Sequence, residues 1–202
     1  MILYINFKIG MLYSMKNNTD ESVAYHSRVI EMAGNDNPEL KIKSLVSIAK
    51  TYGSKNQNEE AFPYLQESLE LLDGSTLENT TAHAEALTEM AFYYFDQSKL
   101  DEAVPFYEQA IKTHKKLPYT SHRQLGMIYM QYAYCLEHME NENKNLQKAG
   151  QNYENAIDSL EKMKDRQLLE NALGDVIAFF DHTNNDNKKR YFEERFVKMA
   201  NA

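Results

Sequence analysis

The fold is decided by LVSIAKTY at residues 45–52, which returns as LTEMAFYY at 87–94 and as YMQYAYCL at 129–136. In each copy the fifth residue is alanine, large apolar residues occupy the first and fourth places, and an aromatic or leucine side chain comes last. The copies begin 42 residues apart. A fixed period of this length is typical of stacked helical hairpins, in which each unit packs only against its neighbours.

A second repeated segment follows each of the first two copies. The segment AFPYL at 61–65 matches AVPFY at 103–107, again 42 residues apart. The next copy begins at Ala149, four residues later than the period predicts. The four extra residues lie in the polar, Asn-rich segment 140–145. We interpret it as a loop insertion, because loop-closure entropy grows slowly with length.

Apolar residues recur within each unit at helical spacing, so each unit is predicted to be two helices joined by a polar turn. In the central unit we expect helices over about 83–95 and 100–115. Asp101 is the expected N-cap of the second, which would place Pro105 at the edge of the first turn, where backbone N–H groups lack intrahelical partners. Alanines are expected where the two helices cross closely.

Weaker copies of the pattern at both ends extend the array, as expected for terminal units whose outer faces meet water. The chain is therefore predicted to be all-α, with one repeat domain over residues 1–202. Its five hairpins are expected at about 1–34, 38–74, 80–117, 121–164 and 166–202.

The composition indicates which kinds of partner and which cellular compartment are to be expected. A formal net charge of −8 and a pI near 5.3 disfavour binding to nucleic acid. The apolar start of the chain is too short to span a membrane, and we interpret it as the first helix of the array, with a secretory signal as the alternative. One cysteine cannot form an internal disulfide, which fits a cytoplasmic protein. We expect no membrane contact.

No motif for chemistry is recognisable. The chain lacks a Gly-rich phosphate loop, a nucleophile elbow and a metal-ligand helix motif, so we expect no catalytic residue, no cofactor and no metal. His114, His122 and His182 are interpreted as solvated histidines and not as metal ligands. Cys135 is expected to be a buried small residue. Acidic residues are expected on solvated faces and in turns, among them Glu137, Glu140 and Glu142.

Small residues on both helices of each hairpin, with an apolar residue and an aromatic flanking the first, resemble the tetratricopeptide repeat. The match is strong over 41–162 and looser outside. The period of 42 is similar to that of the longer-helix variant of kinesin light chains and bacterial peptide-sensing regulators, and it implies a right-handed superhelix. The match is carried by Leu45, Ile48, Ala49, Tyr52, Ala61 and Leu65, by Leu87, Met90, Ala91, Tyr94, Ala103, Tyr107 and Ala110, and by Tyr132, Ala133, Leu136, Ala149, Tyr153 and Ala156.

The resemblance implies that the first helix of each hairpin lines a concave groove. Phe92, Met127 and Tyr134 would supply apolar anchors for a bound peptide; alternatively, these groove positions are covered by their neighbours or simply solvated. The groove positions are Lys43, Ser47, Lys50, Glu85, Glu89, Phe92, Asp96, Met127, Gln131, Tyr134 and His138, with Asn171, Asp175 and Ala178 from the last unit.

The leading functional hypothesis is a non-enzymatic scaffold that binds a protein or peptide. The alternative is a peptide-sensing regulatory module of a bacterial signalling protein, of the response-regulator phosphatase or quorum-sensing type. A third possibility is a homodimer formed through the terminal helices.

Overall fold

The computed structural model describes residues 1–140, 145–163 and 165–201, and this part of the chain contains ten α-helices and no strand. The predicted all-α repeat array is confirmed. The helices are α1 (Ile2–Met15), α2 (Thr19–Ala33), α3 (Pro38–Gly53), α4 (Asn58–Leu72), α5 (Thr81–Asp96), α6 (Leu100–His114), α7 (His122–His138), α8 (Leu146–Leu160), α9 (Arg166–His182) and α10 (Asp186–Ala200).

Consecutive helices pair into hairpins, and each hairpin packs against the next. The second helix of one unit contacts the first helix of the following unit all along the chain. First helices also contact each other, in the order α1, α3, α5 and α7, whereas no comparable contact joins second helices among the described residues. The first helices therefore form the inner, concave layer of the array.

The period-setting alanines lie in the interior. Ala49, Ala91 and Ala133 are all buried, and Ala91 shares one apolar cluster with Ala103 of the facing helix. That cluster runs from α5 to α10. Large side chains at these positions would keep the helices apart, so the small residues set how closely the helices approach.

Four of the five hairpins are closed by the same device. An aromatic residue near the end of the first helix stacks on another aromatic twelve positions later, in the middle of the second helix. Four residues after the first aromatic, an Asn or Ser adopts a positive φ of 55° to 59°. The next amide then donates to the carbonyl of the first aromatic, which ends the helix with a Schellman-type bond. The stacked pairs are Tyr13–Tyr25, Tyr52–Tyr64, Tyr94–Phe106 and Phe180–Phe192.

The prolines lie deeper in their helices than the sequence predicted. Helix α6 begins at Leu100 with Lys99 as its N-cap, so the assignment of Asp101 as the N-cap was wrong. Pro105 is the sixth residue of α6, and Pro63 is the sixth residue of α4. Each is past the first turn and removes one backbone donor from its helix. Both prolines are exposed, so their rings add no bulk to the core.

Two glycines allow unusually close approach between helices. A Cβ added at Gly10 would lie 2.7 Å from Nε2 of the buried His26, and one added at Gly126 would lie 2.6 Å from Cδ2 of Leu160. Gly126 on α7 therefore lets Leu160 of α8 pack directly on the helix backbone. No helix in the described part of the chain is long and apolar enough to cross a membrane.

Candidate binding groove

The first cavity lies on the inner layer between α3, α4 and α5. Its volume is about 220 Å³, and four of the predicted groove residues line it: Lys50, Glu89, Phe92 and Asp96. Apolar side chains from α4 complete its wall, including Leu65. Helical periodicity places the residues of α3 and α5 on this side, since they alternate with the buried positions of each helix.

An ion pair crosses this cavity between neighbouring repeats. Lys50 Nζ on α3 is 3.2 Å from Glu89 Oε1 on α5. Burial alone would lower the pKa of Lys50, but the carboxylates of Glu89 and Glu85 outweigh it and leave the pKa above its usual value. Burial raises the pKa of Glu89, and the adjacent ammonium offsets this only in part. Burial also raises the pKa of Asp96.

The second cavity lies between α7, α8 and α9, with Phe95 of α5 at its edge. Its volume is about 360 Å³, and its walls are more apolar than those of the first cavity. Phe95, Met130 and Phe179 supply the apolar surface. Five predicted groove residues also line it: Gln131, Tyr134, His138, Asp175 and Ala178.

The second cavity has an acidic floor that the sequence did not predict. Glu137 is only 8% exposed, so its assignment to a solvated face was wrong. The Tyr153 hydroxyl donates to Glu137 Oε2 at 2.6 Å, and His182 Nε2 lies 3.2 Å from Oε1. Burial and the charge of Glu137 raise the pKa of Asp175. The signal was present in the spacing, because Glu137 lies four residues after Ala133 and so on the packing side of α7.

Aromatic residues line both cavities. Tyr134 is exposed and stacks on His138, with ring centroids 3.9 Å apart. Phe95 contacts the Tyr134 ring edge-on at 5.6 Å. In the first cavity, the Phe92 ring is half-buried and lies 6.1 Å from the ring of Tyr107. Two of the three predicted apolar anchors therefore line cavities, whereas the half-buried Met127 lines neither of the two.

The remaining predicted groove positions line neither of these two cavities. Lys43 pairs with Glu39 of its own helix, and the Ser47 hydroxyl donates to the Lys43 carbonyl oxygen at 2.8 Å. Glu85 is half-buried, and Asn171 accepts a hydrogen bond from Gln167 at 3.1 Å. These side chains are engaged within their own helices or lie beside the cavities.

The histidines differ from the sequence-based expectation at one position. His114 is buried at the end of α6, with Nε2 3.2 Å from the hydroxyl of Thr88, so its assignment as a solvated loop residue was wrong. His122 and His182 are exposed. Among the described residues, no group of three or more His, Cys, Asp or Glu side chains is placed to hold a metal ion.

Burial also governs the chemistry of Cys135. Its side chain is fully buried, and burial raises the pKa of the thiol to about 12. A thiol of that pKa is not a nucleophile at neutral pH. Glu142 and most of the expected loop insertion lie outside the described residues.

Comparison with known proteins identifies the repeat. A family profile described as tetratricopeptide repeat matches residues 83–117, and another with the same description matches 42–71. A comparison with curated protein sequences finds no match.

Solved structures share the fold at low sequence identity. BtubC (BKLC) from P. vanneervenii aligns with a TM-score of 0.77 and 14% identity over 95% of this chain and 76% of that chain. A putative kinesin light chain from Podosopora anserina with TPR-like repeats gives 0.71 and 15%, over 98% and 94%. A Rap protein complexed with competence and sporulation factor gives 0.67 and 15%, over 98% of this chain and 54% of that one.

Proposed function

Because the chain belongs to the tetratricopeptide repeat family, and its repeats form a protein-binding helical scaffold, we propose that it binds an extended peptide segment along its inner layer. Scaffolds of this kind are generally non-catalytic. One observation carries the proposal: nine of the predicted groove positions line two cavities on either side of the C-terminal end of α5. A segment lying across that end would reach both cavities at once.

The cavities favour a ligand that combines apolar and basic residues. Phe92 in the first cavity, and Phe95 and Tyr134 in the second, present aromatic surface on which apolar side chains gain most of their binding energy. Acidic groups border the same surfaces, with Asp96 in one cavity and Asp175 in the other. The net charge of −8 adds a long-range attraction for a basic segment and should speed association at low salt.

The test is a binding measurement with short fluorescent peptides from a library varied in charge and apolar content. We expect basic-apolar peptides to bind, and Tyr134→Ala to weaken the best of them by about tenfold or more, as truncation of a central aromatic anchor does. Tyr119→Ala is the matched control, because Tyr119 is 90% exposed in the turn before α7 and lines neither cavity. Equal losses in both variants would contradict binding at this surface.

The polar floor of the second cavity favours a second candidate function, in which the array is a peptide-sensing regulatory module. Glu137, Tyr153 and His182 join α7, α8 and α9 there, so a ligand contacting Glu137 would act on three helices together. The Rap protein of similar fold is complexed with competence and sporulation factor. A peptide-sensing module predicts compaction on binding, measured as a smaller radius of gyration by X-ray scattering. Peptide binding without a change in the radius of gyration would favour a simple binding scaffold over a peptide-sensing module.

A further inference from the structure

The two ends of the array differ in the polarity of their outer faces. The outer face of α10 is mainly charged and polar, as capping repeats need to be for solubility. It presents Asn187, Arg190, Glu194 and Lys198 together with Tyr191 and Val197. Helix α1, at the other end, presents an apolar stripe. Its members are Met1, Tyr4, Ile5, Met11, Leu12 and Met15, each between 39% and 101% exposed.

The stripe lies opposite the side of α1 that packs into the array. Phe7 and Gly10 are buried against the following helices, including His26 of α2. The six residues of the stripe follow the helical spacing of three and four, so they form one continuous face. Ile2, which is 65% exposed, lies beside this face. Lys8 is the charged residue at its centre, and its Nζ is 5.2 Å from the centroid of the Tyr4 ring.

The order of residues along the stripe is symmetric about Lys8. Met1 and Met15 lie seven positions from it, Tyr4 and Leu12 four, and Ile5 and Met11 three. If two such helices pair antiparallel with a twofold axis at residue 8, each of the six stripe residues of one copy faces a stripe residue of the other. An isologous interface requires this kind of self-complementarity.

We propose that α1 is the interface of a homodimer, in which the apolar stripes of two copies pair antiparallel about Lys8. With roughly 150 Å² for each fully exposed large side chain, the stripe offers about 600 Å² per copy. If the whole stripe is covered in both copies, about 1,200 Å² is buried, the lower limit for a specific interface. An interface at this limit is expected to be weak, so dimerisation should depend on concentration.

Other possible binding partners fit the apolar stripe of α1 less well. Head-to-tail stacking of α1 on α10 would bury Arg190, Glu194 and Lys198 against methionine and isoleucine, at a high desolvation cost. A membrane surface carrying anionic lipid would repel a chain with a net charge of −8. The two Lys8 ammonium groups are tolerated in the dimer because each leans toward its own Tyr4, and these tyrosines lie on opposite sides of the axis.

The test is sedimentation velocity of the full chain from about 1 to about 200 µM, a span chosen to detect weak association. We expect the mass to rise from monomer to dimer for the wild type and to stay monomeric for Leu12→Asp. Val197→Asp is the matched control, since Leu12 and Val197 are both 56% exposed at opposite ends. It should dimerise like the wild type. A wild-type chain that stays monomeric throughout would overturn the proposal.

Two further experiments distinguish the dimer from the other possible partners of the stripe. If stacking is head-to-tail, Leu12→Asp and Val197→Asp are each monomeric alone but form a one-to-one complex when mixed, and this result would overturn the twofold pairing. Binding of a monomeric wild type to phosphatidylserine vesicles, lost in Leu12→Asp, would assign the stripe to a membrane instead. Lys8→Met removes the like charges at the axis, so dimerisation should tighten by about fivefold or more. Weaker dimerisation would exclude the antiparallel register.

Discussion

The close approach at Gly126 makes a quantitative prediction about packing in the array. Replacing Gly126 with alanine in α7 adds a methyl group 2.6 Å from Cδ2 and 2.7 Å from Cγ of Leu160. Leu160 is fully buried, and the carbonyl oxygen of Ala156 lies 3.4 Å behind the same point. Overpacking of this kind costs about 1–3 kcal/mol, whereas glycine to alanine in a helix interior gains about 0.5–1 kcal/mol. We expect a net loss of about 1–2 kcal/mol.

Gly174 provides the matched control for this substitution. It lies within α9, is exposed, and a Cβ there would meet nothing within 4 Å. Gly174→Ala should therefore stabilise the protein by about 0.5–1 kcal/mol. The assay is urea unfolding followed by circular dichroism at 222 nm. Equal unfolding midpoints for the two variants would refute the packing explanation.

A double-mutant cycle tests the contact itself. Leu160→Ala removes the side chain that the new methyl group would strike and leaves a cavity beside Gly126. In that background Gly126→Ala should become stabilising, because the helix-propensity gain remains and the clash is gone. If Gly126→Ala still destabilises the Leu160→Ala variant, the loss arises from something other than the Leu160 contact.

Two other substitutions test the core. Ala91→Leu should overpack the buried crossing of α5 and α6 and lower the free energy of unfolding by about 1–3 kcal/mol, and an unchanged urea midpoint would contradict this. Burial of His26, whose ring nitrogens find no hydrogen-bond partner in the described part of the chain, lowers its pKa from 6.5 to about 4. The unfolded chain then binds a proton that the folded chain excludes, so stability is lost as pH falls from 6.5 toward 4, by about 2 kcal/mol between pH 7 and 5. His26→Leu should flatten this dependence of the urea midpoint on pH; an unaltered slope would contradict it.

The fold could be predicted because its determinants recur in the sequence. The alanines at a period of 42, and the aromatic residue three places after the first two of them, are local patterns that mark helix crossings and hairpin ends. The positions of Pro63 and Pro105 relative to the starts of their helices could not be predicted in the same way. Lys99 and Gln57 cap their helices without a side-chain hydrogen bond, so no capping residue in the sequence marks the start of α6 or α4.

The candidate groove was predictable only where it depends on the face of one helix. Periodicity places Glu89 and Phe92 on the inner side of α5, but it does not show which residues of α4 complete the wall. The spacing after Ala133 places Glu137 on the packing side of α7, but its partner hydroxyl belongs to Tyr153, which lies on the next helix beyond the insertion. His114 was missed because its burial depends on Thr88 of the facing helix. Contacts between helices decide which partners these two side chains have, and the pattern of one helix does not contain those partners.

The repeated closure of the hairpins has a consequence for how the chain is synthesised. In four of the five hairpins the stacked aromatic pair spans twelve residues and the turn supplies its own helix stop, so the contacts that close the hairpin lie within one unit. Contacts this local are made quickly and at small entropic cost. We therefore expect hairpins to assemble one after another as the polypeptide leaves the ribosome, with each finished unit serving as the template on which the next one settles.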